Sequence, residues 1–99
     1  MRMALALLLL ATGLRPAVAG DTFIQLGAER SEEAAAQKWE DIRARTGTVL
    51  EGMVPRISSV DVKHKGRLYR LRAGPTEAAS AASICAQLKA QAIDCIVVH

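Results

Sequence analysis

From Thr22 onward the hydrophobic period of the chain switches repeatedly between two and 3.6 residues. Thr22 to Ala28 alternates, with Ile24 and Leu26 on one side and Phe23, Gln25 and Gly27 on the other. That period predicts a strand with two unlike faces. Ser31 then offers an N-cap, Glu32 and Glu33 fall in the first turn, and Ala35, Trp39 and Ile42 recur at i, i+4 and i+7. This is one apolar stripe on a helix running to about Thr46 and stopped at Gly47. Trp39 is expected in the core.

Residues 47–56 contain Gly47, Gly52 and Pro55 and read as a loop. Alternation resumes from Ile57 to Lys63, with Val60 and Val62 on one face. Lys65 and Gly66 turn the chain into a third strand, Leu68 to Ala73. Tyr69, Leu71 and Ala73 share one of its faces, and Leu68, Arg70 and Arg72 the other. Gly74 and Pro75 are expected to end that strand, and Thr76 to cap a second helix over about Glu77 to Gln91. Its inward positions are Ala81, Ile84, Cys85 and Leu88. Cys95 to Val98 forms the last strand.

The predicted fold class is α+β: a two-layer βαββαβ domain with a four-stranded antiparallel sheet and two helices on one face. Ile24, Leu26, Tyr69 and Leu71 face the helices. Nothing is left to cover the other face, which carries Phe23, Gln25, Leu68, Arg70 and Arg72. With Cys95 turned toward the helices, Val97 points inward, and Ile96 and Val98 join the open face. Such a mixture of apolar, amide and guanidinium groups suits a binding surface. An ordinary solvated sheet face is the plainer alternative.

Residues 1–19 read as a leader. Met1 and Arg2 precede an apolar run from Met3 to Ala11, followed by Gly13, Pro16 and Ala17-Val18-Ala19. This is the pattern of a secretory signal peptide cleaved after Ala19, leaving a domain over 20–99. An uncleaved anchor or a cytosolic helix fits less well. The run falls short of the ~20 apolar residues of a bilayer span and Arg15 interrupts it, so no stable membrane anchor is expected. The leader also distorts the charge. The chain has 13 Lys and Arg against 10 Asp and Glu, but Arg2 and Arg15 lie in the leader; from Gly20 onward eleven against ten leaves +1. A nucleic-acid binder carries a larger basic excess.

Export also bears on the cysteines. Cys85 and Cys95 are an even pair in an exported chain, which favours a disulfide contributing roughly 2–3 kcal/mol. A metal site falls short of four ligands, and no base adjoins either thiol as a nucleophile would need. No metal and no cofactor is expected.

The stretch from Phe23 to Val98 resembles a SPOR domain, the peptidoglycan-binding module of bacterial division and cell-wall proteins. FIQLGA at 23–28, LYRLRAGP at 68–75 and CAQLKAQAIDCIVV at 85–98 carry the resemblance in order and spacing. It implies a βαββαβ fold and binding to glycan strands stripped of their stem peptides. Two positions depart from the family pattern: Thr76 stands where an aromatic is usual, and Ala92 where Gly is usual.

The open-face residues fit that ligand chemically. Gln25 offers a donor and an acceptor to an acetamido group or hydroxyl. Phe23, Leu68 and Ile96 suit ring faces and acetyl methyls. Removal of a stem peptide leaves the muramic acid lactyl group as a free carboxylate, which Arg70 and secondarily Arg72 can grip bidentately. The competing role for Arg70 is a local pair with an acid such as Asp61. The basic run Lys63, His64, Lys65, Arg67 flanks a turn and is read as solvating it, with steering toward anionic polymer as the alternative.

The resulting expectation is a non-catalytic, periplasmic glycan-binding protein, enriched at the division septum where its ligand is. Other cell-wall or division proteins are further candidate partners. RNA-recognition modules share the strand order but stack bases on sheet aromatics, and here Phe23 stands alone on that face. Glycan hydrolysis needs two convergent carboxyls, and these acids fall mainly on helix surfaces. A protein-interaction or inhibitor module using the same face is the main alternative, and binding to purified glycan separates the two.

Overall fold

The computed structural model describes residues 20–99, so the leader reading of residues 1–19 lies outside the described residues. The order is β1 (Thr22–Glu29), α1 (Glu32–Thr46), β2 (Val54–Val62), β3 (Gly66–Thr76), α2 (Ala78–Ala90) and β4 (Ile96–Val98). The strands form one antiparallel sheet in the order β2-β3-β1-β4. The α+β, two-layer βαββαβ architecture is as the periodicity predicts.

Helix α1 begins where the Ser31 side chain accepts a hydrogen bond from the Ala34 amide at 3.0 Å. It buries Ala35, Trp39, Ile42 and Thr46, and the Thr46 hydroxyl is satisfied by donating to the Ile42 carbonyl at 2.8 Å. Helix α2 buries Ala81, Cys85 and Leu88. Against these stripes the sheet sets Ile24, Leu26, Leu71 and Ala73, with Leu50 and Ile93 closing the ends of the core. Ile24, Leu26, Leu71 and Leu88 are fully enclosed, each worth about 1.5–3 kcal/mol of burial. Cys85 and Cys95 are disulfide-bonded and buried. Closing that short loop contributes about 3 kcal/mol in the chain-entropy model.

Several boundaries differ from expectation. Strand β2 starts at Val54, inside the stretch read as loop. It is an edge strand, where a proline such as Pro55 is tolerated. Strand β3 runs through Gly74 and Pro75 to Thr76. Between the pairs Ile24↔Ala73 and Thr22↔Thr76, β3 has one residue more than β1, and this bulge absorbs the Gly-Pro pair. Thr76 is therefore a strand residue and caps nothing; Glu77 stands at the α2 N-cap without a side-chain bond. A second bulge, between Gln25↔Arg72 and Gly27↔Leu71, puts the extra residue on β1. Gly27 thus lies on the helix side, contrary to the simple alternation. Lys38 Nζ passes over it to reach Glu29 at 3.1 Å.

The end of α2 is a Schellman cap. Ile93 donates to the Leu88 carbonyl at 3.0 Å and Ala92 to the Lys89 carbonyl at 2.9 Å, with Leu88 and Ile93 both buried beside it. Its left-handed residue is Ala92, at φ 62°. Replacing Ala92 by Gly should therefore stabilise the domain by about 0.5–1 kcal/mol, read as a raised denaturant midpoint at unchanged m-value. Gly74, at φ 152°, lies beneath the Phe23 ring; a Cβ there would stand 2.9 Å from Phe23 Cδ2 and 3.0 Å from the Thr22 carbonyl oxygen. Gly74→Ala should cost about 1–3 kcal/mol by the same measurement, because neither the backbone nor the ring can yield freely.

Candidate functional site

Among the described residues nothing covers the face of the sheet away from the helices. Its positions follow from the pairing: Arg56↔Arg72, Ser58↔Arg70 and Val60↔Leu68 across β2 and β3; Gln25↔Arg72 and Ala28↔Arg70 across β1 and β3; Gln25↔Ile96 and Phe23↔Val98 across β1 and β4. Directly paired side chains share a face. Phe23, Gln25, Leu68, Arg70, Arg72 and Ile96, the residues singled out from the sequence, all lie on this face. Ile96 is 61% exposed, an unusual position for an isoleucine.

Two depressions mark the surface. The larger, about 250 Å³, is lined by Gln25, Ala28, Val60, Val62, Leu68 and Arg70. The smaller, about 80 Å³, is lined by Phe23, Arg56, Ser58 and Arg72. Between them Arg72 Nε donates to Gln25 Oε1 at 2.9 Å, which fixes the amide and the guanidinium against each other. The Arg56 guanidinium lies over the Phe23 ring, 4.7 Å from its centroid. Arg70 Nε is buried with no hydrogen-bond partner among the described residues. An orphaned donor of this kind costs about 1–3 kcal/mol, and it belongs to a side chain that lines the larger depression.

Charge on the face is one-sided. The two strand acids, Glu29 and Asp61, both occupy helix-side positions opposite Tyr69 and Arg67. Asp61 does not pair with Arg70, the competing arrangement considered above; it accepts from Arg67 Nε at 3.1 Å. That hydrogen bond, and then the charge of Arg67, hold the Asp61 carboxyl below its ordinary value. Any stability it lends is complete at neutral pH and lost as the pH falls through the acid range. The pair is fully exposed, so its weight is small. Three guanidinium groups, Arg56, Arg70 and Arg72, are left on the open face, and none of them pairs with a carboxylate among the described residues. Arg56, Ser58, Val60 and Val62 were not among the expected site residues. Carrying the Val60/Val62 alternation backward gives Ser58, inside the expected strand, and Arg56, one residue before its expected start.

Such a face can hold an extended ligand with apolar patches, hydroxyl or amide groups and negative charge. No group of three His, Cys, Asp or Glu side chains among the described residues is placed to hold a metal ion. Among solved structures the chain is similar to the SPOR domain of RlpA from Pseudomonas aeruginosa, with 25% identity and a TM-score of 0.55 over 79% of this chain and 97% of that one. It shares its fold with the peptidoglycan binding domain of the B. subtilis cell wall lytic enzyme CwlC, at 20% identity and a TM-score of 0.53 over 86% and 96% of the two chains. No curated protein matches. The model of the SPOR domain family matches residues 19–99, a span that takes in all of the described residues. On that match over most of its length, the chain belongs to the SPOR domain family.

Proposed function

We propose that the protein binds the glycan strands of peptidoglycan through the open sheet face, without catalysis, and prefers strands whose stem peptides have been removed. The observation that carries the reading is the guanidinium-rich, acid-free face with its partnerless Arg70 Nε. Family membership and the CwlC domain, named as peptidoglycan binding, support the ligand class. The larger depression has the apolar wall, Val60, Val62 and Leu68, on which a sugar ring can rest, and Gln25 at its rim for an acetamido group. An intact strand offers Arg70 a neutral amide; a denuded one offers a lactyl carboxylate. The guanidinium gains a charge-assisted, bidentate partner only in the second case. Arg72 is the secondary contact, already half engaged by Gln25. Phe23 and Ile96 extend the apolar surface across β1 and β4. The site of action is the cell envelope, in the periplasm after export by residues 1–19, and enrichment at the septum would follow the ligand.

The test is co-sedimentation of the purified protein with sacculi, one sample intact and one stripped by amidase. Pelleting with stripped sacculi alone is the expected result. Equal pelleting with both removes the carboxylate argument, and pelleting with neither turns the face over to a protein partner. Arg70→Met should weaken binding to stripped sacculi several-fold while the unfolding midpoint holds or rises; unchanged affinity takes Arg70 out of the site.

A further inference from the structure

We infer that the open face contains a second anion subsite, built by Arg56 and Arg72 over Phe23, so that the ligand delivers two carboxylates to the face at once. This rests on the glycan reading above and specifies what one bound strand must present.

Arg56 and Arg72 are direct cross-strand partners on the same side of the sheet. Like charges placed directly opposite each other destabilise a strand pair. Among the described residues no carboxylate relieves them, because both strand acids are on the other side. Each guanidinium is instead fixed by a neutral neighbour. Arg72 spends its Nε on Gln25, and among the described residues its terminal amino groups make no further hydrogen bond. Arg56 is held against the Phe23 ring, which supports the planar group by its face and leaves its edge donors free. Ser58 adds a hydroxyl to the same depression. Two pre-oriented cations and a hydroxyl around a small hollow form an anion cradle.

Size distinguishes the two hollows. The smaller, about 80 Å³ and lined by Arg56, Ser58 and Arg72 beside Phe23, suits a group the size of a carboxylate. The other, about 250 Å³ and walled by apolar side chains, has room for a sugar ring. Arg70 and Arg72 are two residues apart on β3, roughly 7 Å along the strand. Two carboxylates on a single sugar unit are not what a denuded strand offers. One on each of two muramic acids in the same strand is, and a polymer lying across the face brings both.

The experiment is calorimetric titration of the purified protein with amidase-stripped glycan fragments carrying one or two muramic acids. The wild type should bind the two-carboxylate fragment about tenfold tighter than the one-carboxylate fragment. Arg56→Met keeps apolar cover over Phe23 and removes the charge. It should abolish most of that gain, so that the two fragments bind with similar affinity, and leave the unfolding midpoint unchanged or raised. Should the Met variant unfold more easily, Arg56→Lys carries the comparison, since it keeps the charge but loses the planar fork; it should retain only part of the gain. Equal binding of both fragments by the wild type overturns the second subsite, and so does a full gain in the Arg56 variants. Failure of the wild type to bind either fragment overturns the glycan reading itself, and the second subsite with it.

Discussion

Two helices can cover only one side of a four-stranded sheet, and the remaining features of this domain follow from that geometry. All of the large buried side chains, Ile24, Leu26, Leu71 and Leu88 among them, belong to the covered side. The other side must be built from residues that tolerate water. A purely solvated face would be rich in Lys, Glu and Thr. This one instead exposes Ile96 and lines its hollows with Val60, Val62, Leu68 and Phe23, and the charged strand residues that face it are Arg56, Arg70 and Arg72. Stability does not require that composition, which points to a ligand.

The same face shows where stability has been given up. Arg56 opposite Arg72, a partnerless Arg70 Nε and a glycine under Phe23 each run against what a sheet optimised for folding would choose. All three lie within one cross-strand neighbourhood. The offsetting contributions lie on the far side: the packed core, the satisfied N-cap at Ser31 and the disulfide. A layer of helices over a sheet makes such a division possible, because destabilising one face leaves the packing of the other intact.

Much of this was legible from the period of the sequence alone. Ile24 and Leu26, Tyr69 and Leu71, and the Ala35-Trp39-Ile42 stripe identify the covered side because burial enforces the pattern. The six site residues named from the sequence lie on the open face for the complementary reason. What escaped is explained by local backbone events. Pro55 and the glycines before it disguise the start of β2, because a proline on an edge strand resembles one in a loop; Arg56 went unnoticed with it, while Ser58 lay within the expected strand on the Val60/Val62 face. The bulge at Leu26 shifts Ala28 onto the open face and turns Gly27 toward Lys38, and a bulge leaves no periodic trace. Gly74 and Pro75 carry the usual signs of a strand end, yet their bulge continues β3 to Thr76. The Ala92 position, by contrast, was readable as a left-handed site from the family pattern, and its φ is 62°.

Strand β4 shows how the covered side governs the open one. It has three residues and, among the described residues, pairs only with β1, at Phe23, Ile24 and Gln25. A strand so short gains little from its own ladder, since isolated pairings of that length are marginal. Its position is fixed from outside the sheet, by the Cys85–Cys95 bond immediately before it and by the Schellman cap that closes α2 over Leu88 and Ile93. Arg45 adds a third tie, donating from α1 to the Gln91 carbonyl at 2.9 Å. Because Ile96 sits directly beside Gln25 and Val98 beside Phe23, these constraints on the helical side set the edge of the open face. The disulfide therefore contributes twice: to the stability of a small domain, and to the register that places an exposed isoleucine beside the amide and the aromatic ring.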